Sequence, residues 1–193
     1  MQVKGTVIVF LPTFMKEKFG AAKYEEWKAA LPPKSQAIYN KQILASAWYP
    51  LEDAFNVPLS KICEMFYNNN PKEVWNIGRY SADFGLKGVY KILIRLGSPE
   101  ALAKRASSVI EKYYQPSKIE CLKAEKHHAI VRVTKFPSWN IHIEYRIGGY
   151  MERAIELSGG KTPKVQVTAS MNRGQSYMEY DIKVELATTS GTT

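Results

Sequence analysis

The sequence predicts an α+β protein: a helical N-terminal part packed on a C-terminal antiparallel sheet of about four strands with one long amphipathic helix. Helical spacing of apolar residues dominates as far as about residue 115, and alternation of apolar and polar residues dominates after it. Gln115-Pro116 marks the change. We therefore expect a helical subdomain over 1–115, an α+β subdomain over 116–187 and a disordered polar tail over 188–193, in one compact unit.

The first part is predicted to consist of short helices. Residues 6–10 are β-branched but continue a helical face that includes Phe14 and Met15, so a strand and a helix both remain open there, and Pro12 would break or kink a helix. Pro58 is expected to divide a weakly helical segment from the helix that follows it. The predicted helices cover residues 21–31, 35–44, 59–67 and 72–90, the last interrupted near Gly85 and Gly88, and another begins at Ser98-Pro99-Glu100.

The second part is organised around one helix and a strand pair. The apolar face of the helix comprises Ile147, Tyr150, Met151, Ala154 and Leu157. Its opposite face carries Glu152, Arg153 and Glu156, so only one side of this helix is predicted to be buried. Strands are predicted over 119–122, 129–133, 165–170 and 178–186, with 136–140 as a loop and 172–175 as a hairpin turn.

Charge and cysteine content narrow the function classes. The net charge of +9 suits an acidic partner, a nucleic acid or an anionic membrane. Lys and Arg are scattered among Glu residues, however, so a solvated basic surface is favoured and nucleic acid is not expected as a partner. Cys63 and Cys121 have no metal-ligand spacing, which indicates two reduced thiols in a cytoplasmic protein. The apolar run over 6–11 is too short to span a bilayer, so no transmembrane segment is expected.

Recognisable catalytic and metal-binding motifs are missing, which predicts a non-enzymatic protein without a metal site. His127 and His128 are adjacent, so in a strand they point to opposite faces, and a surface hairpin tip is the favoured position for the pair. His142 is expected to be partly buried and hydrogen-bonded. The tryptophans are interpreted as core residues rather than a base-stacking platform.

Several short motifs resemble the haem-nitric-oxide/oxygen binding (H-NOX) family and a set of bacterial relatives. They are Val3-Lys4-Gly5-Thr6, Lys18-Phe19-Gly20, Gly88-Val89-Tyr90, Leu96-Gly97-Ser98-Pro99, Tyr114-Gln115-Pro116-Ser117, residues 149–160, Arg173-Gly174 and Tyr180-Asp181-Ile182. The ending is also similar to 4-vinyl-reductase-type small-molecule-binding domains. The resemblance covers most of the chain and implies the fold, while function depends on the site.

The departures from the family concern haem. The family's iron-ligating histidine falls near Ser107, and its Tyr-x-Ser-x-Arg motif, which holds the haem propionates, falls on residues 136–140, where only Ser138 matches. Because an axial donor and a charged fork are both missing, no haem cofactor is expected. By analogy with the family, the space between the subdomains is lined by Val7, Leu11, the helix bearing Ser107 and Pro116, and it is either open to an apolar molecule or filled by Tyr90 and the tryptophans.

These observations favour a non-enzymatic, haem-free sensor or adaptor domain of H-NOX-like fold that binds a small apolar ligand or a signalling partner. Its candidate ligand-binding residues are Val7, Leu11, Tyr90, Ser107, Pro116 and Ser138. Two other hypotheses remain open. One is a haem-binding gas sensor that uses His127, His128 or His142, and the other is a basic nucleic-acid or anionic-membrane binder.

Overall fold

A computed structural model describes residues 1–86, 110–125 and 127–185 of the chain. The predicted helix that begins at Ser98, the candidate residues Tyr90 and Ser107, and the predicted tail all lie outside these ranges. The described residues form an α+β structure with two antiparallel sheets, one of three strands and one of four. This confirms the predicted fold class.

The N-terminal helices are short, as predicted, but several of their bounds differ. They are α1 (Leu11–Phe19), α2 (Ala21–Ala30), α3 (Pro33–Tyr39), α4 (Val57–Phe66) and α5 (Val74–Gly85). Residues 6–10 form neither a strand nor a regular helix: Gly5–Val7 is a single 3₁₀ turn. Pro12 lies in the first turn of α1, where a missing N–H leaves no bond unmade, so it does not break the helix. The third helix begins at Pro33 and ends at Tyr39, short of the predicted residue 44.

Pro58 does not divide its segment, contrary to the prediction. A π-helical turn over Glu52–Asn56 runs directly into α4. A proline within a helix leaves the carbonyl four residues earlier without its usual donor, and here the Tyr39 hydroxyl donates to the Ala54 carbonyl oxygen at 2.7 Å. A side chain from α3 therefore replaces the bond that Pro58 cannot make.

A small sheet joins three distant parts of the chain and was not predicted. Its strands are β1 (Gln2–Lys4), β2 (Trp48–Pro50) and β3 (Tyr114–Gln115), in the order β2-β1-β3. Strands of two or three residues are too short to show an alternating pattern. This sheet fixes Tyr114 beside the N-terminal strand, where it pairs with Val3.

The larger sheet confirms the predicted second part. Strands β4 (Lys118–Ala124), β5 (His128–Lys135), β6 (Lys161–Ala169) and β7 (Met178–Glu185) pair antiparallel in the order β4-β5-β7-β6. The 3₁₀ turn Met171–Arg173 and Gly174, with φ of 86°, connect the last two strands. Helix α6 (Ile141–Leu157) packs against this sheet, and it begins before the predicted apolar face at Ile147.

One buried apolar cluster includes residues from both parts of the chain, among them Val7, Leu11, Phe55, Phe136 and Ile147. Trp27 is fully buried, and Trp75 and Trp139 pack partly buried against the cluster, as expected of core residues. Trp48 is partly exposed and lies under the Lys4 ammonium group. Within the described residues, no helix is long and apolar enough to cross a membrane.

Candidate functional site

The position of α6 is set by close backbone contact with α5. Gly149 lies against the main chain of Trp75, where an added Cβ would come within 2.8 Å of the Trp75 carbonyl carbon. Gly78 lies in the same way against the main chain of Arg146 and Tyr150. Small residues allow two helices to approach this closely, so α5 covers the side of α6 that faces away from the sheet.

Charged side chains hold the same two helices together. Arg79 on α5 donates to Glu152 and to both oxygens of Glu156 at 2.9 and 2.8 Å, and Trp75 Nε1 donates to Glu152 at 2.8 Å. Burial acts to raise the pKa of Glu156, but hydrogen bonds from Arg79 and Arg153 outweigh burial and lower it. The charged face of α6, predicted to be wet, is therefore half-buried in a salt-bridge network.

Between the sheet and α5, α6 directs Arg146 into the interior. Its side chain is only 7% exposed. The guanidinium lies 5.6 Å from the ring centre of Phe55 and 5.1 Å from that of Tyr150, and Nη1 donates to the Tyr114 hydroxyl at 3.2 Å. We name these four residues the Arg146 cluster. They bring together the π-helical turn, β3 and α6, so the cluster lies where the N-terminal and C-terminal parts meet.

The Arg146 cluster has spare hydrogen-bonding capacity. Nε of Arg146 is buried and has no acceptor among the described residues, and no described carboxylate pairs with the guanidinium. Burial raises the pKa of Tyr114 and of Tyr150, although the Arg146 charge opposes this effect. Both phenols are therefore protonated at neutral pH and can act as donors.

Three residues of the loop over 136–140, to which the sequence resemblance assigns the family's propionate motif, make structural contacts. The Phe136 ring is buried, 5.3 Å from the ring centre of Tyr114. The Ser138 carbonyl oxygen accepts from Asn56 Nδ2 at 3.3 Å. Asn140 Oδ1 accepts from the Ile143 N–H at 3.0 Å and so caps the N-terminus of α6.

The predicted candidate residues occupy different environments. Val7 and Leu11 are buried in the apolar core, Ser138 is partly buried, and Pro116 is exposed after a cis peptide bond. Tyr90 and Ser107 lie outside the described residues. Sequence reasoning missed Arg146, because the helix was predicted from Ile147 onward. The available signal was the i, i+4 pair Arg146 and Tyr150, which places a cation on the face of a buried aromatic residue.

Two of the three histidines, His128 and His142, have hydrogen-bond partners. His142 Nδ1 lies 3.1 Å from Ser60 Oγ, and burial lowers the pKa of His142, which confirms a partly buried, hydrogen-bonded histidine. His128 lies on β5 with Nε2 2.6 Å from Asp181 Oδ1, while His127 lies in the turn before it. Both ring nitrogens of His127 are buried without a hydrogen-bond partner in the described part of the chain. Among described residues, no three side chains of His, Cys, Asp or Glu are grouped to hold a metal ion.

The described residues do not fit haem held in the manner of the family. Phe136 has no hydroxyl group to offer a propionate, and the Asn140 side-chain oxygen already accepts a helix N–H. An amide also lacks the positive charge and the two parallel donors with which arginine holds a carboxylate.

Comparison with known proteins gives a fold but no close relative: no protein-family model and no curated protein matches the sequence. An H-NOX protein from S. oneidensis in the Fe(II)NO ligation state superposes with a TM-score of 0.73 and 14% identity over 95% of this chain and 99% of that one. The Fe(II) unliganded H-NOX protein from K. algicida superposes with a TM-score of 0.71 and 8% identity over 97% of this chain and 100% of that one. The IWP-051-bound H-NOX from Shewanella woodyi superposes with a TM-score of 0.68 and 13% identity over 98% of each of the two chains. The chain therefore has an H-NOX-like fold over nearly its whole length.

Proposed function

We propose that this protein is a non-enzymatic sensor or adaptor domain of H-NOX-like fold that works without haem held in the family's manner, by binding a small apolar ligand or a signalling partner in the cytoplasm. The observation that carries the proposal is the loop over residues 136–140. Phe136 packs in the core and Asn140 caps α6, at the positions where the family places the tyrosine and arginine that hold the propionates.

The chemistry of haem binding supports this proposal. Haem iron needs an axial donor, and the family supplies it from a helix position that corresponds to Ser107 in this sequence. A serine hydroxyl is a poor ligand for ferrous iron compared with imidazole. Two independent parts of the family's site are thus replaced, one at the iron and one at the propionates.

An apolar ligand agrees with the residues that remain. Val7 and Leu11, which the family analogy assigns to the space between the subdomains, are apolar and buried. The resemblance of the C-terminal part to 4-vinyl-reductase-type domains, which bind small molecules, points in the same direction. The hypothesis of a nucleic-acid or membrane binder gains less support, since several surface cations are paired with glutamates: Lys23 with Glu26, Lys28 with Glu25, Lys61 with Glu64 and Arg132 with Glu179.

The proposal is tested by haem reconstitution. The purified protein is incubated with haemin, passed through a gel-filtration column and examined by absorbance, with the H-NOX protein from S. oneidensis as the positive control. We expect a Soret band after the column for the control and none for this protein. A sharp Soret band that stays with this protein would overturn the proposal.

A second candidate function, haem binding through another histidine, is favoured by one observation. The two ring nitrogens of His127 are buried and unpartnered within the described ranges, so this imidazole is available as a donor. Replacement of His127 by Ala, with His128→Ala and His142→Ala as matched controls, identifies the ligand. Loss of a Soret band in His127→Ala alone would establish this second function.

A further inference from the structure

We propose that Arg146 and Tyr114 form a buried receptor for a carboxylate, so that the ligand of this domain is an apolar molecule with one carboxylate head group. This inference rests on the proposed function and names the chemical class of its ligand. It is carried by the buried charge of Arg146, which no carboxylate of the described residues pairs, and by the Tyr114 hydroxyl beside it.

Arg146 carries a positive charge in the interior of the protein. Its side chain is 93% buried, and its guanidinium makes one hydrogen bond among the described residues, to the neutral Tyr114 hydroxyl. Taking an ion out of water costs several kcal/mol unless an opposite charge or a full set of hydrogen bonds compensates. The rings of Phe55 and Tyr150 attract the guanidinium through cation–π contacts, but they supply neither an opposite charge nor an acceptor in the plane of its N–H groups.

The acidic residue closest to Arg146 in the sequence of α6 already has a hydrogen-bond partner. Glu144, two positions before Arg146, is buried and accepts a short hydrogen bond from Ser170 Oγ. The Tyr180 hydroxyl donates to the Glu144 carbonyl oxygen at 3.0 Å, which holds this part of α6 against the sheet. Glu144 therefore belongs to the interface between helix and sheet, and no carboxylate from the described residues is hydrogen-bonded to Arg146.

The N–H groups of Arg146 and the hydroxyl of Tyr114 can donate to the same carboxylate. The guanidinium is a planar fork that matches the two oxygens of a carboxylate, and Nε of Arg146 is free to donate within the described structure. Tyr114 accepts from Arg146 Nη1, so its own O–H, which has no described acceptor, can donate to the same anion. The neighbouring rings of Phe55 and Phe136 are apolar and buried. A charged head and an apolar body are therefore recognised at one place.

The test compares two molecules of equal chain length. Decanoate and decan-1-ol are titrated into the protein by isothermal titration calorimetry, with wild type, Arg146→Gln and Tyr114→Phe. Arg79→Gln is the matched control, because Arg79 is an arginine on the adjoining helix whose charge is already paired. Circular dichroism checks that each variant is folded.

We expect wild type and Arg79→Gln to bind decanoate at least about tenfold more tightly than decan-1-ol, which corresponds to about 1.4 kcal/mol. Arg146→Gln should remove this preference and leave decan-1-ol binding unchanged. Tyr114→Phe keeps the ring and should weaken only decanoate, severalfold, so it carries the test even if Arg146→Gln does not fold.

Each other outcome is decisive. Equal affinity for the acid and the alcohol in wild type would overturn the carboxylate receptor but leave the apolar-ligand function standing. An undiminished preference for decanoate in Arg146→Gln and Tyr114→Phe would also overturn the receptor. Binding of neither molecule would overturn the receptor and the small-ligand form of the proposed function together.

Discussion

Replacement of Gly78 by Ala should destabilise the protein through the contact between α5 and α6. A Cβ at this position would overlap the Arg146 carbonyl oxygen and lie 3.0 Å from both the Arg146 carbonyl carbon and the Tyr150 nitrogen. These are main-chain atoms within a helix, which cannot rotate away as a side chain does. The helices must therefore separate, by a distance on the order of 1 Å, against a close-packed interior.

The size of the effect follows from two opposing contributions. Overpacking of a well-packed core costs about 1–3 kcal/mol, and the better helix propensity of alanine returns up to about 1 kcal/mol. The shift also strains the contact of Gly149 with Trp75 and the Arg79 salt bridges, so we expect a net loss of about 2 kcal/mol. For a chain of this size that corresponds to a Tm lower by roughly 4–8 °C.

The assay is equilibrium unfolding in urea together with calorimetry, and Gly85→Ala is the matched control. Gly85 is also on α5, but an added Cβ there would meet no atom of the described residues within 4 Å. We expect Gly85→Ala to leave stability unchanged or raise it slightly. Equal stability of Gly78→Ala and Gly85→Ala would refute the close packing of α5 on α6.

Three further predictions concern single side chains. Asn140→Ala removes the cap of α6 and should lower the free energy of unfolding by about 1 kcal/mol, whereas Asn140→Asp should retain most of it; equal urea midpoints for Ala and wild type would contradict this. Burial lowers the pKa of His142 in the folded protein below its usual value of 6.5, so folding favours the neutral imidazole. The folded state should therefore lose stability as the pH falls below the pKa of this imidazole in the unfolded chain and toward its lower pKa in the folded protein. His142→Gln should therefore flatten the dependence of urea stability on pH between about 7 and 5, and an unchanged slope would argue against it. Burial raises the pKa of the Cys63 thiol to about 11, so Ellman's reagent should modify it only on unfolding; immediate modification in native protein, absent in Cys63→Ala, would show that this thiol is accessible.

The sheet and the last helix could be predicted from sequence because their patterns are local. Alternation along β7 places Met178, Tyr180 and Ile182 on one buried face, and the structure has them there. Such alternation identifies the buried face of a strand, whichever element packs against that face. The fold class followed from the change of pattern at the Pro116 junction.

Features that depend on distant residues could not be predicted in this way. The continuity of the helix through Pro58 depends on the Tyr39 hydroxyl, which reaches the Ala54 carbonyl from another helix. The three-stranded sheet joins residues near both ends of the N-terminal part. The charged face of α6 was predicted to be exposed, but glycines in α5 and α6 bring α5 close enough to cover it.

The candidate site shows the same division. The departures at Phe136 and Asn140 were visible in the sequence, and the structure adds the contacts that explain what these residues do instead. Arg146 was missed because the helix was predicted from Ile147 onward, whereas it begins at Ile141. The positions of Phe55, Tyr114 and Tyr150 around it reveal a buried charge that has no carboxylate partner in the described part of the chain.

We propose that the H-NOX-like fold of this protein serves a ligand other than haem. The test is liquid chromatography with absorbance and mass detection, applied to the small molecules released when the purified protein is denatured. We expect a released apolar carboxylic acid and no porphyrin, even when the protein is produced in cells supplied with excess haem precursor. Release of haem in stoichiometric amount would contradict it.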